Sequence, residues 1–149
     1  MLRVRTAVPL LALLTLLLLP SFASARSPQL RMLDKINAYR ASHGVKAVHL
    51  SRSLEKSASR YSRHMMSSGY FGHSSRIHAS RKFRTLGEII EIHRGLKAGV
   101  RTAFQAWIHS PPHRSVILMS TFRFAGAGFV SGRFNGHRDT IWTMHFGRH

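Results

Sequence analysis

Thr140-Ile141-Trp142-Thr143-Met144-His145-Phe146 sets Ile141, Thr143 and His145 opposite Trp142, Met144 and Phe146. A period of two belongs to a β-strand. Just upstream stands Asn135-Gly136, the dipeptide best suited to positive φ at both central positions of a type I′ turn. Before that turn, Phe122 to Phe134 is rich in Gly, Ala and Phe. Together these features predict an antiparallel hairpin closing the chain. Gly126, Gly128 and Gly132 weaken its first strand intrinsically and mark a bulge or a close backbone approach.

Ahead of the hairpin the period is helical. Ser27-Pro28 reads as an N-cap with Pro at the first helical position, followed by Met32, Leu33, Ile36 and Tyr39, with Gly44 as the stop. Ser51 caps a second helix carrying Leu54, Ala58, Tyr61 and Met65 on one stripe, and Gly69 sits where a left-handed C-terminal turn belongs. Tyr70 to Thr85 has no clean period and is rich in Ser, Arg and His, so it reads as a surface loop of a length that is commonly functional or mobile. Val100, Phe104, Trp107 and Ile108 predict a third helix over about 100–109, ended by Pro111-Pro112 and followed by a short helical turn from Arg114 to Met119.

The chain has 149 residues, room for one domain, and 44% of them are hydrophobic, enough for a packed core. It carries 23 Lys+Arg against 5 Asp+Glu, a formal charge of +18. The absence of cysteine excludes disulfides, thiolate zinc sites, iron–sulfur clusters and a cysteine nucleophile. Asp34, Glu55, Glu88, Glu91 and Asp139 are the only acids, too poor a supply for oxygen-rich calcium or magnesium cages.

Residues 1–25 read as a secretory signal peptide: Arg3 and Arg5, an apolar run from Ala7 to Leu19, Pro20, then Ala23-Ser24-Ala25 as a cleavage site. The run is shorter than the roughly 20 residues that span a bilayer. Cleavage after Ala25 leaves a single domain over 26–149, with 21 bases against 5 acids. The expected product has no transmembrane segment and is secreted or extracytoplasmic, in a periplasm or the extracellular medium. Small exported domains usually rely on disulfides; at this length a core alone suffices, which fits a bacterial envelope protein.

Three clusters carry the chemistry: Gly69-Tyr70-Phe71-Gly72-His73-Ser74, Leu86-Gly87-Glu88-Ile89-Ile90, and Ala106-Trp107-Ile108-His109-Ser110-Pro111-Pro112-His113-Arg114. With Ile36-Asn37-Ala38-Tyr39-Arg40 before them and the strand pair after, their order and spacing resemble the CAP superfamily of cysteine-rich secretory, antigen 5 and plant pathogenesis-related proteins, in its small cysteine-free bacterial (SCP-domain) branch. The resemblance runs from about Leu30 to Phe146. It implies an α+β fold, an α-β-α sandwich with helices on both faces of a small, mainly antiparallel sheet.

The resemblance also implies a cleft holding two histidines and one or two acids. His73 matches the histidine after the Gly-Tyr-Phe turn, Glu88 the glutamate of the Gly-Glu-Asn motif, and His113 the histidine of the Ser-Pro-Gly-His-Arg motif. Ile89 stands where the family has Asn, and Pro112 where it has Gly. Ser110 lies near the place of a second glutamate in eukaryotic members. Glu91 is a further cleft candidate: it shares Glu88's side if the segment is helical and points away if it is a strand.

His73, His113 and Glu88 make a reasonable zinc set with a fourth position for water, and such a site supports hydrolysis. The same three groups can equally satisfy one another by hydrogen bonds and fix the cleft loops. A Ser74-His113-Asp139 triad can be written down, but no G-x-S-x-G elbow supports it, and there is no H-E-x-x-H or phosphate-cradling glycine loop. The remaining histidines read mostly as surface residues, with a cleft-facing position as the less favoured alternative for His145 in the last strand; Trp107 and Trp142 read as core.

So basic a chain attracts polyanions, outside the cytoplasm wall polymers, acidic lipids and non-specifically bound nucleic acid. Arg76, Arg81, Lys82 and Arg84 cluster beside His73 with Tyr70, Phe71 and Phe83 interleaved, a composition that grips phosphates or stacks bases and equally suits a solvated loop. No nucleic-acid-binding motif is present. The reading is an extracytoplasmic binding or interaction module with a His-Glu-His cleft. The alternatives are a metal-dependent hydrolase of peptide or wall substrates and a polyanion binder whose cleft is inert.

Overall fold

The structure, a computed structural model, describes residues 25–149; the expected signal peptide lies outside the described residues, save Ala25. Helix α1 (Pro28–Ser42) starts from Ser27, whose hydroxyl accepts the Leu30 N–H, and Gly44 follows it at φ +69. A two-residue strand β1 (His49–Leu50) precedes α2 (Arg52–Ser68), which Ser51 caps through the Leu54 N–H and Gly69 ends in the left-handed conformation. After the loop come β2 (Thr85–Arg94), α3 (Val100–His109), α4 (Pro111–Ile117) and the hairpin β3 (Phe124–Phe134) and β4 (His137–Arg148). Asn135 and Gly136 turn that hairpin at φ +46 and +85, the positive pair a type I′ turn requires.

The prolines act differently from expectation. The third helix ends at His109, and Pro111 and Pro112 open α4 as its first two residues. A missing N–H costs nothing there and the fixed φ suits a helix start, so the short helical turn begins three residues earlier than the sequence suggests. Neither β1 nor β2 is marked as a strand by the sequence pattern.

The sheet order is β1-β3-β4-β2, parallel between β1 and β3 and antiparallel elsewhere. One face carries Ile89, Ala125, Ala127, Trp142, Met144 and Phe146 against α1, α3 and α4; the other carries Ile90 and Ile141 against α2. This is the α-β-α sandwich. Trp107 and Trp142 are fully buried, their indole N–H groups donating to the Ile90 and Ala98 carbonyls.

Polar side chains tie α1 to the rest. Asn37 accepts the Val48 N–H at 2.8 Å and donates back to the Val48 carbonyl at 2.9 Å. Arg40, fully buried, donates to the carbonyls of Lys46, Ile117, Met119 and Phe122. Ile117 ends α4 and the other three lie in loops, so these oxygens have no strand ladder to bond, and a buried unpaired carbonyl is costly.

The layer of α2 is set by glycine. A Cβ on Gly126 would lie 2.1 Å from the Glu55 nitrogen, and one on Gly128 would lie 2.3 Å from the Ser59 nitrogen. The close approach expected of these two glycines is therefore real, and it is backbone against backbone. Ser62 seals it, donating toward the Gly128 carbonyl and the Thr143 hydroxyl. Gly132 is different: its added Cβ would meet only the Met66 side chain, with the sulfur nearest at 3.3 Å. We predict that Gly128→Ala costs about 2 kcal/mol or more by forcing α2 off the sheet, whereas Gly132→Ala costs well under half of that because a methionine can move. Urea unfolding midpoints of the two variants check this, and equal losses would refute it.

Candidate functional site

The site is built on a turn, two strands and a short helix. Gly69 releases the chain from α2, and the Asn135 side-chain amide donates to the Gly69 carbonyl at 3.0 Å. The Tyr70 ring covers Gly72 so closely that a Cβ there would sit 2.4 Å from the phenol oxygen. Tyr61 of α2 donates its hydroxyl to the Gly72 carbonyl at 2.6 Å. These contacts bring His73 and Ser74 onto Glu88 of β2.

Glu88 is the hub. Its Oε1 accepts the His73 Nδ1–H at 2.9 Å and the Ser74 backbone N–H at 2.8 Å. Its Oε2 accepts the Ser74 hydroxyl and the His145 Nε2–H, each at 2.8 Å. His145 is its antiparallel partner across β2 and β4. The carboxylate side chain is 6% exposed. Burial works to raise its pKa; the hydrogen bonds from His145, from the Ser74 amide and hydroxyl and from His73 outweigh that and hold it at about 2. Four donors fill the lone-pair directions a carboxylate offers.

His113 projects from α4 with its ring centroid 6.5 Å from that of His73, the planes tilted by 43°. Burial pushes its pKa down, and the nearby His73 adds to the effect, so the ring is neutral at pH 7. Its Nδ1 is buried without a hydrogen-bond partner among the described residues, as is Nδ1 of His145.

The structure thus brings His73, Glu88 and His113 together and adds His145 and Ser74. It does not bring Glu91. Because β2 is a strand, Glu91 points to the opposite face, where burial raises its pKa while a 2.9 Å bond to His93 opposes the rise. Ser110 sits at the junction of α3 and α4 and makes none of the Glu88 hydrogen bonds. The Ser74-His113-Asp139 triad has no basis either: Asp139 pairs with Arg94 at 3.1 Å, six residues and about 20 Å along β4 from His145. His145 is legible from its alternation. Ser74 carries no signal in the sequence, since its role depends on which atoms Glu88 presents.

The zinc set expected from His73, Glu88 and His113 does not fit as three ligands. Among the described residues no three His, Asp or Glu side chains gather in a group able to hold a metal ion. Glu88 is committed to four donors and supports His73 from behind, in the manner of an outer-shell carboxylate, which leaves two imidazoles. Of the loop aromatics, Phe71 packs against the α2-side core and Phe83 against Phe124 and His149; only Tyr70, 61% exposed, is open to solvent.

The fold and this constellation define a class, and comparison with known proteins agrees. The profile of the cysteine-rich secretory protein family, CAP, matches residues 33–146, and the chain belongs to that family. It is 30% identical over 136 residues to the uncharacterized protein YkwD of Bacillus subtilis, covering 85% of this chain and 49% of that protein. The chain therefore spans about half the length of that relative. Its fold is similar to an extracellular SCP-domain protein of Bacillus anthracis, at TM-score 0.66 and 22% identity over 82% of this chain and 40% of that one. It is also similar to an outer surface protein of Borrelia burgdorferi, at TM-score 0.66 and 17% identity over 79% and 90% of the two chains. It is a CAP domain of the bacterial type, with no helix among the described residues long and apolar enough to cross a membrane.

The Glu88 network makes stability depend on acid. Its folded pKa of about 2 lies below the ordinary 4.5, so its contribution is complete above pH 4.5 and is lost as pH falls toward 2, about 3 kcal/mol in all. We predict that the stability gap between wild type and Glu88→Gln, measured by urea unfolding, shrinks steadily across that range. A gap that stays constant from pH 6 to pH 2 would contradict it.

Proposed function

We propose that this protein is an extracytoplasmic binding module that engages anionic components of the cell envelope. The observation that carries this reading is the saturated Glu88: the one acid of the cleft holds four donors and takes no proton from a substrate. A hydrolase that used Glu88 as its base would need that carboxylate free, and the neutral His113 has no hydrogen-bonded nucleophile or orienting carboxylate among the described residues. Against this stands a surplus of cations. The chain has a formal charge of +18, and Arg76, Arg81, Lys82 and Arg84 are all exposed on the loop that carries His73. Such a field draws phosphate-bearing polymers and acidic lipids to that side. The signal-peptide pattern of residues 1–25 and the extracellular or outer-surface character of the structural neighbours support placement outside the cytoplasm.

The test is binding to phosphatidylglycerol vesicles and to a soluble poly(glycerol phosphate) across salt concentrations. The expected affinity falls steeply between about 50 and 200 mM salt as counterion release is lost. A salt-independent response, or turnover of peptide, ester or muropeptide substrates that disappears with Glu88→Gln, would overturn the reading.

A further inference from the structure

A cavity of about 490 Å³ lies on the α2 side of the sheet, between that helix and residues 74–78 of the loop. Neither His73, Glu88 nor His113 lines it. Arg60 and His64, one turn apart on α2, supply one wall; Arg76 and His78 supply the other; the buried His145 contributes to the lining. Among the described residues no Asp or Glu lines it. The volume is that of a small-molecule site, and every charge that lines it is of one sign.

The hydroxyls agree with the charges. Ser57, Ser74 and Ser75 line the same space. Tyr61 also lines it, and burial, with the charge of Glu88 and the neighbouring Tyr70, raises its pKa, so the phenol adds no negative charge there. Ser74 is already spent on Glu88, whose carboxylate lies behind His145 and Ser74; its single charge reaches the cavity, as Tyr61 records, and is outnumbered there by Arg60 and Arg76. Arg60 reaches across to donate to the His78 carbonyl at 2.9 Å, which ties the helix to the loop and leaves other guanidinium N–H groups free. Two guanidinium groups, the imidazoles of His64 and His78 and the hydroxyls of Ser57 and Ser75 in one concave space suit a tetrahedral oxyanion, since Arg offers forked donors to phosphate oxygens.

We infer that this cavity is a binding site for a phosphate ester, seated between Arg60 and His64 of α2 and Arg76 and His78 of the loop. The inference rests on the binding reading and deepens it, by placing recognition in one cavity and not in the diffuse field of the loop. The ligand is a phosphate mono- or diester, whether free, in a glycerol phosphate unit, or as a lipid headgroup.

The experiment titrates the protein by calorimetry with inorganic phosphate and with glycerol 3-phosphate in 150 mM chloride, and measures partition onto phosphatidylglycerol vesicles with and without 10 mM glycerol 3-phosphate. One saturable site per chain is expected. Arg60→Gln with Arg76→Gln should weaken it at least tenfold, and Arg76→Gln alone, which leaves the helix–loop bond in place, by at least threefold. Arg81→Gln with Lys82→Gln removes the same charge from the same loop outside the cavity and should weaken binding less than threefold. All four side chains are exposed, and unchanged thermal unfolding of each variant verifies folding. Vesicle partition that glycerol 3-phosphate competes away identifies a lipid headgroup as able to enter; saturable binding of the soluble esters without competition assigns the cavity to free or polymer-borne esters. Equal losses in both double variants would overturn the cavity while leaving the binding reading intact. Salt-dependent vesicle binding with no saturable phosphate site does the same. No binding to any of these anions would overturn both.

Discussion

Glu88 holds a charge almost wholly removed from water, a placement that costs several kcal/mol unless partners replace the lost hydration. Four donors from two distant stretches of chain, residues 73–74 and His145, do so. The dependence runs both ways. The turn at 69–74 has no backbone ladder of its own, and Glu88 fixes it together with Tyr61 and Asn135; β2 is an edge strand of the sheet, and the bond to His145 adds a side-chain link to its backbone pairing with β4. With its oxygens occupied, Glu88 orients imidazoles and is closed to ligands. His73 and His113 stand with their rings 6.5 Å apart, and the cavity lined by Arg60, His64, Arg76 and His78 includes neither of them.

How far the sequence can be read depends on whether a residue's role is local. The hairpin, the capped helices α1 and α2 and the left-handed Gly69 are legible because each follows from a period, a cap or a turn dipeptide within a few residues. The prolines mislead because Pro112 ends a helix and starts one with equal ease; only the position of Ser110 between them and Trp107 decides. Strand β2 is hidden by its motif: Leu86-Gly87-Glu88-Ile89-Ile90 stands out as a family signature, while its extended conformation, which sends Glu91 to the far face, depends on pairing with β4. The meeting of His73, Glu88 and His113 follows from the resemblance and not from spacing. Ser74 and the role of His145 are fixed by atoms that meet only when the chain is folded.

The domain is held without a single thiol, and the means are visible in two places. On one face Trp107, Trp142, Phe122 and Phe146 form a conventional apolar core with Met32 and Ile36 of α1. On the other the fit is tighter and less greasy: the α2 backbone at Leu54, Glu55 and Ser59 lies over Gly126 and Gly128 of β3, with Ser62 bonded to the Gly128 carbonyl, and dispersion between closely packed backbones replaces bulky side chains. Arg40 and Asn37 do for the irregular segments what a disulfide does elsewhere, joining distant parts of the chain through hydrogen bonds to backbone groups.

The glycine-lined seam beneath α2 bears on molecular recognition as well as on folding. Arg60 and His64 ride on a helix whose depth is dictated by main-chain contact, so one side of any partner's berth is preorganised before encounter. For the proposed phosphate ester, reorganisation would fall on the solvent-facing side chains of Arg60, His64, Arg76 and His78 and not on the helix that carries the first two, which limits the entropy surrendered on capture.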